Sequence, residues 1–204
     1  MSILAIRLSN NNTEMSFKNG ELFTIKQDNK QNHSEEIINN IKECLKKGSG
    51  EISNLEYILV DVGPGGFTPI RTAICISLGL SALNKSVLIG IDTFNGIFYS
   101  NKLNKKEENI VIINISNENF VYQCRDRLGN IVYTKSNKKD EIFLKKDENC
   151  DICICNDIFE SDYDKIEYNS ESMIKYFCDN KNQILEYYKN KEKIIPYYSP
   201  SFIS

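Results

Sequence analysis

The chain has 204 residues, of which 41% are hydrophobic and 26% are charged, and this composition excludes a chain that is disordered throughout. Its formal net charge of −3 argues against nucleic-acid binding through overall charge, because phosphate binding depends on clustered lysine and arginine side chains. The basic stretch from Lys135 to Lys139 is the best local candidate for an RNA contact, but its position between strand-like segments favours a solvated turn.

The cysteines and the hydrophobic runs indicate where the protein works. Seven cysteines is an odd number, and Cys44, Cys75 and Cys178 occupy apolar positions of helix-like segments, where a thiol behaves as a small hydrophobic group. The first residues lack a signal-peptide pattern, and no apolar run approaches the ~20 residues that a membrane helix needs. The sequence therefore predicts a cytoplasmic protein, in a reducing compartment and without a membrane partner.

Local patterns predict the elements of the first half of the chain. Asn19-Gly20 is typical of a tight hairpin turn, Ser34 suits the start of an amphipathic helix, and Thr68 is suited to cap a second helix with Pro69 at its first position. In chain order, the predicted elements are a strand at 3–6, a hairpin at 15–25, a helix at 34–47, a strand at 57–61, a helix at 70–83, a strand at 87–91 and a short helix capped by Asp92.

A polar connection from 101 to 109 separates this block from a second one, because the hydrophobic periodicity stops there. It predicts an N-terminal lobe, 1–106, and a C-terminal lobe, 107–204. Strands alternate with helices in both, so the pattern predicts an α/β fold with a mixed sheet in each lobe. The elements predicted for the second lobe are strands at 110–115, 120–124, 131–135 and 151–155 and a long helix at 170–188.

Few residues are candidates for chemistry. His33 is the single histidine, so a two-histidine metal site is not indicated, and no evident Ser-Lys constellation points to a serine nucleophile with its base. Cys150, Cys153 and Cys155 have the spacing of part of a zinc site, but no second pair completes it, and strand alternation favours buried thiols. The sequence thus predicts no catalytic residue, no metal site and no cofactor.

The loop Gly63-Pro64-Gly65-Gly66, between a predicted strand and a predicted helix, is the strongest local motif. Backbone N–H groups of such a loop can bind an anion, but the loop lacks the Lys-Ser/Thr of a nucleotide phosphate loop and the third glycine of a dinucleotide site. The alternative, which the pattern favours, is a tight turn with Phe67 folded into the core. The helix that follows is apolar almost all round, so one face is either buried within the lobe or bound to a partner.

Two segments, from Val60 to Arg71 and from Ile89 to Phe94, resemble the signature of the TsaB (YeaZ) family. That family reads Gly-Pro-Gly-Ser-Phe-Thr-Gly-Leu-Arg, then an apolar helix with a late glycine and a strand that ends in Gly-Val-Ser-Thr. The residues that carry the motif here are Gly63, Pro64, Gly65, Phe67, Thr68 and Arg71. Weaker agreement is found at Ile3–Ile6, at His33-Ser-Glu35 and at Pro196-Tyr-Tyr198.

This resemblance implies an actin-like, sugar-kinase-like fold with two RNase H-like lobes, and a non-catalytic subunit that heterodimerises with a catalytic TsaD-like subunit. In the family, that partner binds ATP and metal and carries out the threonylcarbamoyl modification of tRNA, and a TsaE-like ATPase subunit joins the complex. The chain would then meet tRNA only indirectly.

The same resemblance places the interface with the partner on the helices at 34–47 and 69–83. Isolated protein is expected to form a homodimer through the same patch, because an exposed apolar surface without its partner tends to find another. The residues expected at the interface are Ile37, Ile41, Cys44, Leu45, Ile70, Ile74 and Leu78.

Several positions depart from the family pattern. Arg7-Leu8 replaces the Asp-Thr after the first strand, and Asn114-Ile-Ser116 replaces the Asp-Ala-Arg of the second lobe. In the glycine loop, Gly66 replaces Ser and Pro69 replaces Gly. Loss of the Asp where an actin-like ATPase holds its metal and phosphates argues against nucleotide hydrolysis by this chain.

Two alternatives to a partner subunit stay open on the sequence. One is an ATP- and metal-dependent catalytic homologue, against which the single histidine counts, because the metal site of that subunit uses a pair of histidines on one helix. The other is a diverged peptidase-like or chaperone-like protein that kept the fold and left the complex.

Overall fold

The computed structural model of the chain describes residues 1–9, 12–28, 34–101, 103, 106–116, 119–138, 150–155, 164–189 and 194–196. They form two compact units. One contains Met1–Val62, Phe67–Ile91 and Asn169–Pro196, and the other contains Gly63–Gly66 and Asp92–Tyr168. His33, Lys139 and the Tyr197-Tyr198 part of the closing motif lie outside the described residues.

The first unit is built on a five-stranded sheet in which strand order differs from chain order. Strand β1 lies in the middle, antiparallel to β2 and parallel to β4, and the order across the sheet is β3-β2-β1-β4-β5. The elements are β1 (Ser2–Leu8), β2 (Asn12–Asn19), β3 (Glu21–Asp28), α1 (Ser34–Lys47), a 3-10 turn (Ile52–Asn54), β4 (Tyr57–Gly63), α2 (Phe67–Asn84) and β5 (Val87–Asp92).

Helices α1 and α2 pack on the same face of this sheet, because alternate strand residues point to one side. Leu4 and Ile6 of β1 meet Ile41 of α1 and Ala73 of α2 in one buried cluster. The hairpin turn at Gly20 has a φ of +83°, as the Asn-Gly pattern predicts, since glycine adopts this conformation without steric cost.

The second unit contains a short helix and another five-stranded mixed sheet. Asp92 caps the helix as predicted, with its side chain accepting a hydrogen bond of 2.8 Å from the Asn95 N–H. Strand β6 pairs antiparallel with β7 and parallel with β9, and the order is β10-β9-β6-β7-β8. The elements are α3 (Thr93–Ser100), β6 (Glu108–Asn114), β7 (Asn119–Asp126), β8 (Ile131–Lys138), β9 (Cys150–Cys155) and β10 (Asp164–Ile166).

The last helix, α4 (Ser170–Lys189), packs on the first sheet, on the face opposite α1 and α2. The hydroxyl groups of Ser16 and Ser170 lie 2.7 Å apart, and the Tyr57 and Phe177 rings have centroids 5.0 Å apart. The two compact units therefore divide the chain differently from the predicted lobes 1–106 and 107–204. The difference arises because the apolar side of α4 is buried against β1 and β2, which are far away in sequence.

The predicted α/β fold with mixed sheets flanked by helices is confirmed. The 3-10 turn and β10 are too short to give a periodic signal and were not predicted. Cys150 and Cys153 are buried thiols of β9, as strand alternation indicates. Within the part of the chain that is described, no helix is long and apolar enough to span a membrane.

Candidate functional site

The glycine motif forms the connection between β4 and α2. Gly63 has a φ of +95°, a conformation that other residues adopt at a cost, so the turn explains the glycine at this position. Helix α2 begins at Phe67. Thr68 and Pro69 therefore lie inside its first turn. The predicted cap at Thr68 is wrong by two residues, because the residue before the helix is Gly66.

Phe67 points away from the core, in contrast to the prediction that it folds inward. Its side chain is 54% exposed, and the guanidinium carbon of Arg71 lies 3.6 Å from the centre of its ring. This is the geometry of a cation–π contact, and it holds both side chains on the outside of the helix, four residues apart. Two residues of the family motif thus form one exposed feature.

The exposed residues of α2 are apolar from Cys75 to Leu83, whereas the first two turns of the helix also expose the polar Thr68 and the charged Arg71. Leu78 is 49% exposed and Leu83 is 81% exposed, while Gly79 leaves open space beside the helix. These residues recur at helical spacing and form one stripe, which we call the α2 outer face and which contains a single charged residue, Arg71. The α2 outer face consists of Phe67, Arg71, Cys75, Leu78, Gly79, Ala82 and Leu83.

The interface residues expected from the family resemblance have mixed positions. Leu78 belongs to the α2 outer face, and Ile37 is half-buried against the core. Five others point toward the sheet and are each at most 5% exposed, because these side chains supply the core that holds α1 and α2 in place. The five are Ile41, Cys44, Leu45, Ile70 and Ile74.

Cys44 illustrates this inward position. Its thiol lies 3.4 Å from the Phe23 carbonyl oxygen, and burial raises the pKa of the Cys44 thiol to about 11. Cys75, by contrast, lies on the α2 outer face and is exposed. Sequence reasoning missed Cys75, Ala82 and Leu83, because α2 is apolar on both faces and its pattern does not say which face the sheet covers.

A buried ion-pair network lies where β1 and β4 end. Arg7 Nη1 is 3.2 Å from Glu14 Oε2, and Arg7 Nε is 3.3 Å from Asp61 Oδ2. All three side chains are buried, and strand register places Glu14 directly across from Arg7. We call these three residues the Arg7 cluster. The exposed Lys26 adds a contact of 3.6 Å to Glu14.

The Arg7 cluster does not fit a metal ion. Two buried carboxylates are a donor set that binds divalent cations, but here the guanidinium of Arg7 lies within ion-pair distance of both Glu14 and Asp61. The positive charge that these carboxylates require is therefore already supplied by the chain. Arg7 occupies the position where the family pattern, by the resemblance, has an Asp.

The segment that departs from the family in the second unit forms a turn. Asn114 ends β6, and the Ile115 N–H donates a hydrogen bond of 2.9 Å to the Asn119 carbonyl oxygen. The Asn119 side-chain amide donates to the Ser116 hydroxyl at 2.9 Å. Asn114-Ile-Ser116 thus leads directly into β7.

Comparison with known proteins gives consistent matches. The model of the family described as "TsaD: tRNA N6-adenosine threonylcarbamoyltransferase" matches residues 24–145, more than half of the chain. A relative from Buchnera aphidicola subsp. Acyrthosiphon pisum, "tRNA threonylcarbamoyladenosine biosynthesis protein TsaB", is 28% identical over 138 residues, which cover 65% of this chain and 62% of the relative. Its namesake from Buchnera aphidicola subsp. Schizaphis graminum is 31% identical over 94 residues, or 46% of this chain and 45% of the relative.

A solved structure agrees with these matches over a larger part of the chain. YeaZ from Pseudomonas aeruginosa matches with a TM-score of 0.71 and 13% identity, covering 97% of this chain and 99% of that protein. At this identity the likeness establishes the fold, and it confirms the predicted actin-like architecture. Because the family model, the relatives and the fold agree, the chain belongs to the TsaD family and is a TsaB/YeaZ-like member of it.

Proposed function

We propose that the chain is a non-catalytic partner subunit that supports tRNA threonylcarbamoyladenosine biosynthesis by binding a TsaD-like catalytic subunit through the α2 outer face. The observation that carries this proposal is the apolar stripe on α2, in which Leu78 and Leu83 are exposed and Arg71 is the single charge. An exposed apolar stripe of this length is typical of a protein interface.

The relatives support the choice of partner. Those from Buchnera are named as TsaB proteins of threonylcarbamoyladenosine biosynthesis, and the matching family model is that of the transferase itself. A chain that is related to the transferase and exposes an apolar helix is suited to pair with a homologue. A TsaE-like ATPase would join this pair, and tRNA would bind mainly through the catalytic subunit, in keeping with the net charge of −3.

The Arg7 cluster supports a role without catalysis. A nucleotide phosphate or its metal ion, placed at the ends of β1 and β4, would have to compete with an ion-pair network that is already closed. The chemistry of the modification therefore falls to the partner, and this chain contributes a surface. A peptidase-like or chaperone-like role has no feature of the described residues in its favour.

The test is copurification of this chain with the TsaD-like subunit of its own organism, comparing the wild type with Leu78→Asp. In the complex, an aspartate at the centre of the α2 outer face would lose its water without gaining an opposite charge. We therefore expect the affinity for the TsaD-like subunit to fall by roughly tenfold or more. Leu22→Asp is the matched control, because Leu22 is also exposed but lies on β3, opposite Lys18, away from the α2 outer face.

Loss of pairing in Leu78→Asp alone, with a wild-type circular dichroism spectrum, would support the proposed interface. Reconstituted tRNA modification should then fall in parallel with pairing. If the wild type and Leu78→Asp paired equally well, the α2 outer face would not be part of the interface. No pairing of the wild type at all would refute the proposal of a partner subunit. Ile74→Asp is unsuitable for this test, since Ile74 is a core residue.

A further inference from the structure

Two residues near the end of the chain fasten it to strand β5 of the first compact unit. The Tyr188 hydroxyl, at the end of α4, donates a hydrogen bond of 2.6 Å to the Gly90 carbonyl oxygen in the middle of β5. Ile194 approaches the same glycine, since a Cβ placed on Gly90 would lie 3.3 Å from Ile194 Cγ2. We call Tyr188 and Ile194 the β5 clasp.

The two residues of the β5 clasp belong to opposite faces of the sheet. Tyr188 is part of α4, which packs on the face opposite α1 and α2. Ile194 packs against the buried cluster on the face of α1 and α2, which contains Val62, and the half-buried Leu88 of β5 packs against the same cluster. The β5 clasp therefore holds β5 from both faces at one position.

Gly90 provides the space in which the β5 clasp closes. Its φ is not positive, so the backbone conformation does not explain the glycine. A Cβ at this position would lie 2.6 Å from Val62 Cγ1 and 3.1 Å from the Tyr188 hydroxyl oxygen. These distances are shorter than an ordinary van der Waals contact, so any larger side chain at position 90 would compete with Tyr188 and Ile194 for the same space.

The segment that carries Ile194 is held less firmly than the strands of the sheet. Ile194 and Pro196 are half-buried and Ile195 is 70% exposed, whereas all seven residues of β1 are buried. Segments with little buried apolar surface open at a lower free energy than the core of the same domain. The β5 clasp can therefore open at a lower free energy than the sheet unfolds.

We propose that the β5 clasp is a strap that opens and closes over Gly90 while the rest of the first unit stays folded. When closed, it holds β5 beside Val62, the residue directly before the glycine motif. When open, it uncovers an apolar seat at Gly90 that fits one aliphatic side chain. The strap involves neither the α2 outer face nor the TsaD-like subunit, so its test is independent of the proposed function.

The experiment uses the full chain with a single fluorescent reporter. The chain contains no tryptophan, and Ile195→Trp places one beside the β5 clasp at a side chain that is already largely exposed. Fluorescence anisotropy then follows the segment, and far-UV circular dichroism follows the whole fold. In urea, we expect the anisotropy to fall at a lower concentration and with a shallower dependence than the circular dichroism signal, because opening exposes less surface than unfolding.

Two variants of the reporter chain test the residues of the β5 clasp. Ile194→Asp puts a charge into the apolar seat, so its anisotropy should be low without urea while the circular dichroism spectrum stays that of the reporter chain. Tyr188→Phe removes one hydrogen bond and should raise the ratio of open to closed chains roughly fivefold. Leu22→Asp is the control, because Leu22 is exposed on β3, and it should change neither signal.

Coincident urea transitions of anisotropy and circular dichroism in the reporter chain would overturn the proposal, since the segment would then unfold only with the core. An Ile194→Asp variant that lost its circular dichroism spectrum would overturn it for the same reason. Unchanged anisotropy in Ile194→Asp, or a ratio of open to closed chains within twofold of the reporter chain in Tyr188→Phe, would show that these residues do not hold the strap.

Discussion

At the scale of single residues, Arg7 is the position where the structure makes the sharpest prediction. Removal of its guanidinium in Arg7→Met leaves the carboxylates of Glu14 and Asp61 buried without their shared cation. Loss of one partner from a buried ion pair costs about 3–5 kcal/mol, so we expect a decrease of that size in the free energy of unfolding. Urea denaturation measures it directly.

Lys26→Met is the matched control, because Lys26 contacts the same Glu14 from an exposed position and should contribute within about 1 kcal/mol. Replacing the whole Arg7 cluster with apolar residues, as Arg7→Met/Glu14→Met/Asp61→Leu, should recover much of the stability lost by Arg7→Met alone. If Arg7→Met and Lys26→Met both lowered the free energy of unfolding by only about 1 kcal/mol, the buried network would not hold β1, β2 and β4 together as described.

At the scale of elements, two glycines in helices predict opposite effects of the same substitution. A Cβ at Gly79 of α2 would meet no atom within 4 Å, so Gly79→Ala should stabilise the free chain by about 0.5–1 kcal/mol through helix propensity. A Cβ at Gly96 of α3 would lie 2.7 Å or less from three atoms of Tyr168. Gly96→Ala should therefore destabilise by about 1–3 kcal/mol through overpacking.

Urea denaturation of both variants tests this pair, and stability changes of the same sign would contradict it. The cause at Gly96 can be isolated with Tyr168→Ala. Once the ring is removed, the alanine at position 96 has room, so the cost of the double variant should be smaller than the sum of the two single costs. Additive costs would show that the contact with Tyr168 is not the reason for glycine at this position.

The same scale shows how far the sequence can predict the elements. The hairpin at Gly20, helix α1 and the Asp92 cap depend on residues that are neighbours in the chain, and the pattern predicted each of them. The outward position of Phe67 was not predicted. Both sides of α2 are apolar, so the choice of its buried face depends on the sheet that it packs against, and a helical pattern contains no information about that sheet.

At the scale of the whole molecule, the family motif was the strongest sequence signal, because glycine loops join strand ends to helix starts at a fixed spacing. The class of fold followed from it and from the alternation of strands and helices. The place of α4 did not, since its contacts with β1 and β2 join residues that lie more than 150 positions apart, such as Ser16 and Ser170. Likewise, the partners of Arg7 became visible only when strand register set Glu14 and Asp61 beside it.

The α2 outer face also predicts how the isolated chain behaves. Without a TsaD-like partner, an apolar stripe with one charge should associate with a second copy, and Gly79 at its centre allows two helices to approach closely. We expect the average mass in sedimentation to rise with concentration for the wild type, to stay near that of one chain for Leu78→Asp, and to follow the wild type for Leu22→Asp.

Addition of the TsaD-like subunit should dissociate the self-associated form, because both complexes require the same surface. If the wild type and Leu78→Asp were both monomeric at every concentration, the α2 outer face would not cause self-association. Any pairing would then depend on contacts that only the partner provides.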